Sequence, residues 1–314
     1  MILAKHRTRT TGNDNSTPRT GRLQRRFKRD RWKNLLSDLL LWMLLFIFFV
    51  PVLWIMLTSV RIRSEVNAFP PVWIPSEFSL DSYKILLGMS TPQGAFGMGS
   101  SIPVADYARN SIVIALTSTT FALTCGTLAG YAFARFRFRG KNSLFLGMML
   151  ARAIPGIALS LPLFIVYARV GLSDTVRGMI LTYAALNIPF TVWLMEGFFR
   201  AIPKELDESA RIDGCSVWGA FARVDLPLAL PGAAAAGIFA FLTAWNEFAL
   251  ASQITRTPAS RTFPPALFEF TGQFVSDWRG MTALSVLMLI PAVIFVALIQ
   301  RQLIVGLTSG ATKG

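Results

Sequence analysis

The chain has 314 residues, of which 53% are hydrophobic and only 15% charged. A soluble domain carries roughly 25% charged residues, and here the apolar residues gather in blocks long enough to cross a bilayer, so a single soluble core is excluded in favour of a polytopic membrane protein. The net charge of +14 does not point to nucleic acid: eleven of the 31 Lys and Arg lie in residues 1–34, and basic residues beside a first span mark the cytoplasmic side.

Residues 1–34 read as a basic cytoplasmic tail. Its first thirty residues are rich in Thr, Arg, Asn and Gly, lack apolar periodicity and are expected to be disordered. They are not a secretory signal, because the apolar run that follows is too long and no small-residue cleavage site comes after it. Six apolar segments follow, at about 35–59, 108–134, 144–168, 178–199, 228–251 and 281–304. Each is long enough to cross ~30 Å of hydrocarbon at 1.5 Å per residue. An open chain satisfies its backbone in lipid only as a helix. The expected fold is therefore all-α, with six transmembrane helices.

Charge sets the orientation. With the tail inside, the inner segments hold 21 Lys and Arg and the outer ones eight, which predicts both termini in the cytoplasm. Two outer segments are long. Residues 60–107 contain Pro70-Pro71, Trp73 and Pro75, and residues 252–280 contain Pro258 and Pro264-Pro265. They read either as contacts for a soluble partner or as capping loops with interfacial aromatics. Pro155 and Pro162 interrupt the third span, Pro189 the fourth and Pro291 the sixth, which predicts kinks.

The inner segment 200–227 carries the most information. Pro203 suits the first helical position, and Glu205, Asp207 and Glu208 suit the first turns of a helix. Ile202, Leu206 and Ala210 form an apolar stripe, with Ile212 beside it. Gly214 fits the left-handed position that ends a helix. Ser216 then caps a second short helix bearing Trp218, Phe221 and Val224, and Leu226-Pro227 returns the chain to the membrane. Such a loop is either a docking element for another protein or a segment lying on its own bundle or on lipid.

The spacing of Glu208, Ala210, Asp213, Gly214, Phe221, Leu226, Pro227 and Pro231 resembles the EAA loop of permease subunits of ATP-binding-cassette (ABC) importers. Ser209 departs from it, standing where the motif has a second alanine. Residues 35–314 as a whole resemble the carbohydrate branch of the family, the shorter permease of the maltose type in particular. Trp245-Asn246-Glu247-Phe248 and the ending Gly306–Gly314 carry that resemblance. It implies the type I importer fold and a site in the cell (inner) membrane of a bacterium or archaeon. It also implies a second homologous permease as partner, an extracytoplasmic solute-binding protein, and a separate ATPase dimer that binds ATP and Mg. The EAA loop, Glu205 included, would dock that ATPase, and residues 306–314 would reach it. The cargo implied is a sugar, polyol or related glycoside.

The chain's own chemistry agrees with a transport subunit that is not an enzyme and holds no cofactor. No G-x-x-x-x-G-K-[ST] occurs, and Arg139-Gly140-Lys141-Asn142 is no substitute. His6 is the only histidine, which excludes the usual His-based triads. With Cys125 in a span and Cys215 in the polar loop, no metal site assembles at ordinary ligand spacing.

Ionisable groups at membrane depth are candidates for function. Arg152, ~12 Å along the third span, and Glu196 in the fourth are expected to pair, the alternative being an Arg152 that snorkels to the headgroups. Asn187, Trp193, Trp245, Asn246 and Glu247, with Tyr183, combine polar groups and aromatic faces as a sugar path would. Interfacial anchoring and helix–helix hydrogen bonding explain them equally well. The rival class is an ion-coupled secondary transporter, which calls for internal repeats and paired mid-membrane acids; neither is visible. A different cargo for the same machinery is the other alternative.

Overall fold

The computed structural model describes residues 20–90, 102–271 and 276–311, with side-chain surroundings for 35–90, 102–271 and 276–300. The chain divides into two compact units, residues 1–54 and 55–314. Among the described residues the first unit is one helix, α1 (Thr20–Ser59), whose last residues belong to the second. Residues 20–34, expected to be disordered, are thus helical. Their Arg, Lys, Leu and Gln are good helix formers, and extending an existing helix avoids a second nucleation. Residues 1–19 of the tail and 312–314 of the C-terminal segment lie outside the described residues.

The second unit continues with the short α2 (Arg63–Val66) and α3 (Asp81–Leu86), then the long α4 (Val104–Arg135). After these come α5 (Lys141–Arg152), α6 (Gly156–Val170), α7 (Val176–Ala201), α8 (Lys204–Ile212), α9 (Val217–Ala220) and α10 (Leu226–Trp245). The set closes with α11 (Ala249–Ile254), α12 (Phe263–Ala266) and α13 (Trp278–Ala311). Five of the expected spans are full-length helices, and the third is not. There α5 and α6 meet at a bend of 95°. Pro155 supplies no N–H to continue α5 and holds the preceding Ile154 away from helical geometry, so the helix stops and restarts. Pro162, Pro189 and Pro291 sit inside continuous helices. The fifth span ends at Trp245, six residues earlier than expected, because Ala249 already begins α11.

The main pairing is α4 on α7. Ile114, Ser118, Ala122, Gly126 and Gly130 recur every four residues along the buried face of α4. A Cβ on Gly126 would lie 2.4 Å from Thr191 Cγ2, and one on Gly130 would lie 2.7 Å from Met195 Cβ. The two backbones therefore touch, as a Gly-x-x-x-Gly pair allows. The Ala- and Gly-rich α10 packs on α4, α7 and α13. One buried cluster, including Tyr107, Tyr183, Phe241, Trp245, Leu250 and Phe263, fills the half of the bundle near α11 and α12. A second, made of Tyr131, Met195, Phe199, Phe221 and Ala229, fills the half near α8 and α9.

The connections at the first end are tied together by polar side chains. Asp174, between α6 and α7, accepts hydrogen bonds from the backbone N–H of Arg256 (2.8 Å) and Thr257 (3.0 Å). It also accepts from the hydroxyls of Thr257 (2.7 Å) and Ser260 (2.5 Å). Burial raises the Asp174 carboxyl, but these donors outweigh it and leave its pKa at about 2. Arg279, in the first turn of α13, donates to Ser82 Oγ (2.6 Å) and to the carbonyl of Arg61 (3.3 Å), fixing part of the 60–90 segment.

Candidate functional site

The segment 202–226 forms a helix–turn–helix on the end of the bundle. Pro203 is the N-cap of α8 and not its first helical residue. Glu205 and Glu208 are exposed on α8, and Ala210 is half-buried. The helix ends in a Schellman motif: Gly214 N–H donates to Arg211 O (3.2 Å) and Cys215 N–H to Ala210 O (3.0 Å). Gly214 sits at φ +91°, where only glycine is unstrained. Asp213, the C-cap, is exposed. Ser216 Oγ accepts from Gly219 N–H (3.1 Å) and starts α9.

From Phe221 to Asp225 the helix widens into a single π turn before running on as α10. Pro227 explains it: its ring lacks an N–H and crowds the carbonyl four residues back, so the ladder shifts to the wider register ahead of it. Leu226 is half-buried, Pro227 is exposed, and Pro231 lies half-buried within α10. Phe221 is not a surface residue. It is 7% exposed and packs on Tyr131 (ring centroids 4.8 Å), Phe199 (6.1 Å) and Trp218 (6.0 Å). It anchors the loop from beneath, where an aromatic ring buries more area than it would on the surface. Outward, the loop shows Leu206, Ile212 and Trp218, 44%, 86% and 68% exposed.

One arginine holds both ends of this loop. Arg135, the last residue of α4, pairs with Asp225 (Nη2–Oδ1 2.6 Å), and both side chains are nearly inaccessible. Its Nη1 donates to the carbonyl of Ile202 (3.1 Å). The entry and exit of the loop are thereby pinned to a single guanidinium.

The polar residues at membrane depth are arranged differently from expectation. Glu196 pairs with Arg200 one turn away on α7, not with Arg152. An i, i+4 partner on the same helix is always within reach, whereas α5 must bring Arg152 across. The Arg152 guanidinium instead lies 4.4 Å from the centroid of the Phe190 ring. Of the residues expected to line a path, Asn187 is 1% exposed and donates to Ala240 O (3.3 Å). Trp245 is 2% exposed and donates to Met288 O (3.2 Å). Glu247 accepts from Tyr183 OH (2.9 Å) and from the N–H groups of Leu250 (2.8 Å) and Ala251 (3.0 Å), so it caps α11. These three hold helices together. Asn246, bonded to Leu242 O (3.0 Å), and Trp193 are exposed.

Residues 122–307 match the model of the family described as binding-protein-dependent transport system inner membrane component. The chain belongs to this family. It is 37% identical to the trehalose transport system permease protein of Mycobacterium tuberculosis, over 84% of this chain and 92% of that one. It is 31% identical to the diacetylchitobiose uptake system permease protein of Streptomyces coelicolor, over 90% of this chain and 97% of that one. The fold is shared with a bacterial ABC transporter involved in import of the acidic polysaccharide alginate, at TM-score 0.69 and 20% identity, covering 87% of this chain and 97% of that one. The protein is thus a multi-pass ABC importer permease of a bacterial inner membrane.

Sequence reasoning about this permease missed Arg135 and Asp225. They stand 90 positions apart and look like ordinary members of basic and polar loops. Gly126 and Gly130 did carry a readable signal, a Gly-x-x-x-Gly step inside an apolar run.

Proposed function

We propose that this permease forms half of the translocation pathway of an ATP-driven importer of a sugar, polyol or related glycoside. The pathway is completed by a second homologous permease, and an extracytoplasmic binding protein delivers the solute. The loop 200–227 faces the cytoplasm, as do both termini, and docks a separate ATPase dimer in which ATP and Mg reside. The observation that carries this reading is the loop itself. Leu206, Ile212 and Trp218 are held in water by a segment that Phe221 and the Arg135–Asp225 bridge fix to the bundle. Exposed apolar side chains on a rigid polar segment are the mark of a protein contact. Relatives that carry trehalose and diacetylchitobiose in their names support the carbohydrate cargo.

The test is recovery of partners on the tagged, gently purified chain, compared with Ile212→Asp and Trp218→Asp. A second permease should accompany all three forms, and a Walker-motif ATPase should be lost from the two variants. A chain that purifies alone and moves solute in vesicles without ATP would overturn the proposal in favour of an ion-coupled transporter.

A further inference from the structure

Arg152 lies well in from the ends of two neighbouring helices. It lies eleven residues from the start of α5 at Lys141, about 16 Å along a helix. Phe190, over which its guanidinium sits, lies eleven residues from the end of α7 at Ala201, again about 16 Å. With these helix ends taken as the inner edge of the bilayer, that is about half of a ~30 Å hydrocarbon layer. The side chain reaches sideways to α7, over the Phe190 ring. It stays exposed on this chain.

The carboxylates of α7 and of the two ends of α10 are all engaged elsewhere. Glu196 is on Arg200, Asp225 on Arg135, and Glu247 on Tyr183 and the first turn of α11. A guanidinium at this depth without a carboxylate belongs on a water-filled cavity and not against lipid tails. Its surroundings are a platform of rings. Phe190 packs on Trp193 (5.8 Å) and on Phe239 (5.3 Å), and Trp193 and Phe239 are 48% and 56% exposed. The break between α5 and α6 follows directly after Arg152.

Resting on the reading of the chain as an importer permease, we propose that Arg152, Phe190, Trp193 and Phe239 form an anion-accepting position on the solute path. It takes the carboxylate or sulfonate of an acidic glycoside on the guanidinium while the sugar ring lies against Trp193. Arg forms paired, charge-assisted hydrogen bonds with planar oxyanions, and its remaining face stays free to stack on Phe190.

The experiment uses the full importer complex with Cys125→Ser and Cys215→Ser. Trp193→Cys is one reporter, and Phe239→Cys is a second in case the first does not fold. Each is treated with an anionic sulfonatoethyl or a cationic trimethylammonioethyl methanethiosulfonate, with rates normalised to a free thiol. The anionic reagent should be favoured on the order of tenfold, as one nearby charge in a partly aqueous site predicts. Arg152→Gln should abolish the preference and Arg152→Lys should keep it. On the Phe239→Cys reporter, which keeps Trp193, millimolar glucuronate should slow the labelling, and glucose should not. Reporters inert to both reagents, as against lipid or a partner helix, would overturn the proposal. So would an absent charge preference, as when a partner's carboxylate neutralises Arg152, or one that survives Arg152→Gln, or a lack of glucuronate protection. Co-recovery of the ATPase is measured on the same preparations, so a failed assembly is told apart from a failed anion site.

Discussion

Replacing Asp225 by alanine tests whether the docking loop is held by Arg135. The pair is 2.6 Å apart, with side chains 5% and 0% exposed, so solvent does not replace the lost partner. Breaking a buried pair by removing one member costs about 3–5 kcal/mol, most of it the stranded charge. Arg135→Met should cost a similar amount, because it strands the carboxylate and also leaves the Ile202 carbonyl without its donor, itself about 1 kcal/mol. The double variant Arg135→Met/Asp225→Leu removes both charges together and should return to within about 1–2 kcal/mol of the parent. The coupling between the two positions is then at least about 4 kcal/mol. Reversible unfolding in bicelles measures all four forms, and ATPase recovery on the tagged chain reads the loop directly. The single variants should lose the ATPase, while the double variant, with the bundle intact and the loop untethered, should retain stability and still bind it weakly. Single variants within 1 kcal/mol of the parent, or additive effects in the double, would refute the reasoning.

Three further outcomes follow from the geometry. Gly126→Ala and Gly130→Ala each drive a methyl into α7 and should lower stability by about 1–3 kcal/mol, whereas Gly147→Ala, with nothing within 4 Å, should be neutral or slightly stabilising in the same unfolding assay. Gly214→Ala meets no neighbour but must hold φ +91°, which costs about 1–2 kcal/mol; it should weaken ATPase recovery without lowering the yield of the second permease. Asp174 has a folded pKa of about 2 against an ordinary 3.8, so its contribution is complete above pH 4 and is lost as pH falls toward 2. Screened by the solvent that Asp174 half faces, that contribution is about 1 kcal/mol; the thermal midpoint should drop between pH 4 and 2.5, and Asp174→Asn should flatten that drop.

What was legible in the sequence was legible because lipid enforces it. Apolar length fixed the spans to within a few residues at α4 and α7, and glycine chemistry placed the turn at Gly214. The reading faltered where a residue's role depends on a neighbour distant in the chain. Phe221 looked like part of a docking surface, since a single sequence does not show Tyr131 and Phe199 waiting for it. Glu196 had two arginines to choose from, and the same-helix Arg200 took it. Trp245, Asn187 and Glu247 had the chemistry of a sugar site, but their partners are Met288, Ala240 and the start of α11. The break at Pro155 was foreseen as a kink, yet its size depends on where α6 lands, against α11.

The unbroken run from Val217 through the π turn to Trp245 makes the permease a machine with a lever. Its 29 residues form a bar about 43 Å long. Trp218 is at one tip, and Trp245 is bolted to Met288 at the other. The middle of the bar is Pro231-Gly232, where a Cβ on the glycine would lie 2.4 Å from the ring of Phe198, so the bar is closely seated there. A bar held at its midpoint moves its two tips in opposite directions: a 10° swing displaces each by about 4 Å. With Asp225 pinned to Arg135 close to the Trp218 tip, such a swing would have to strain that bridge first.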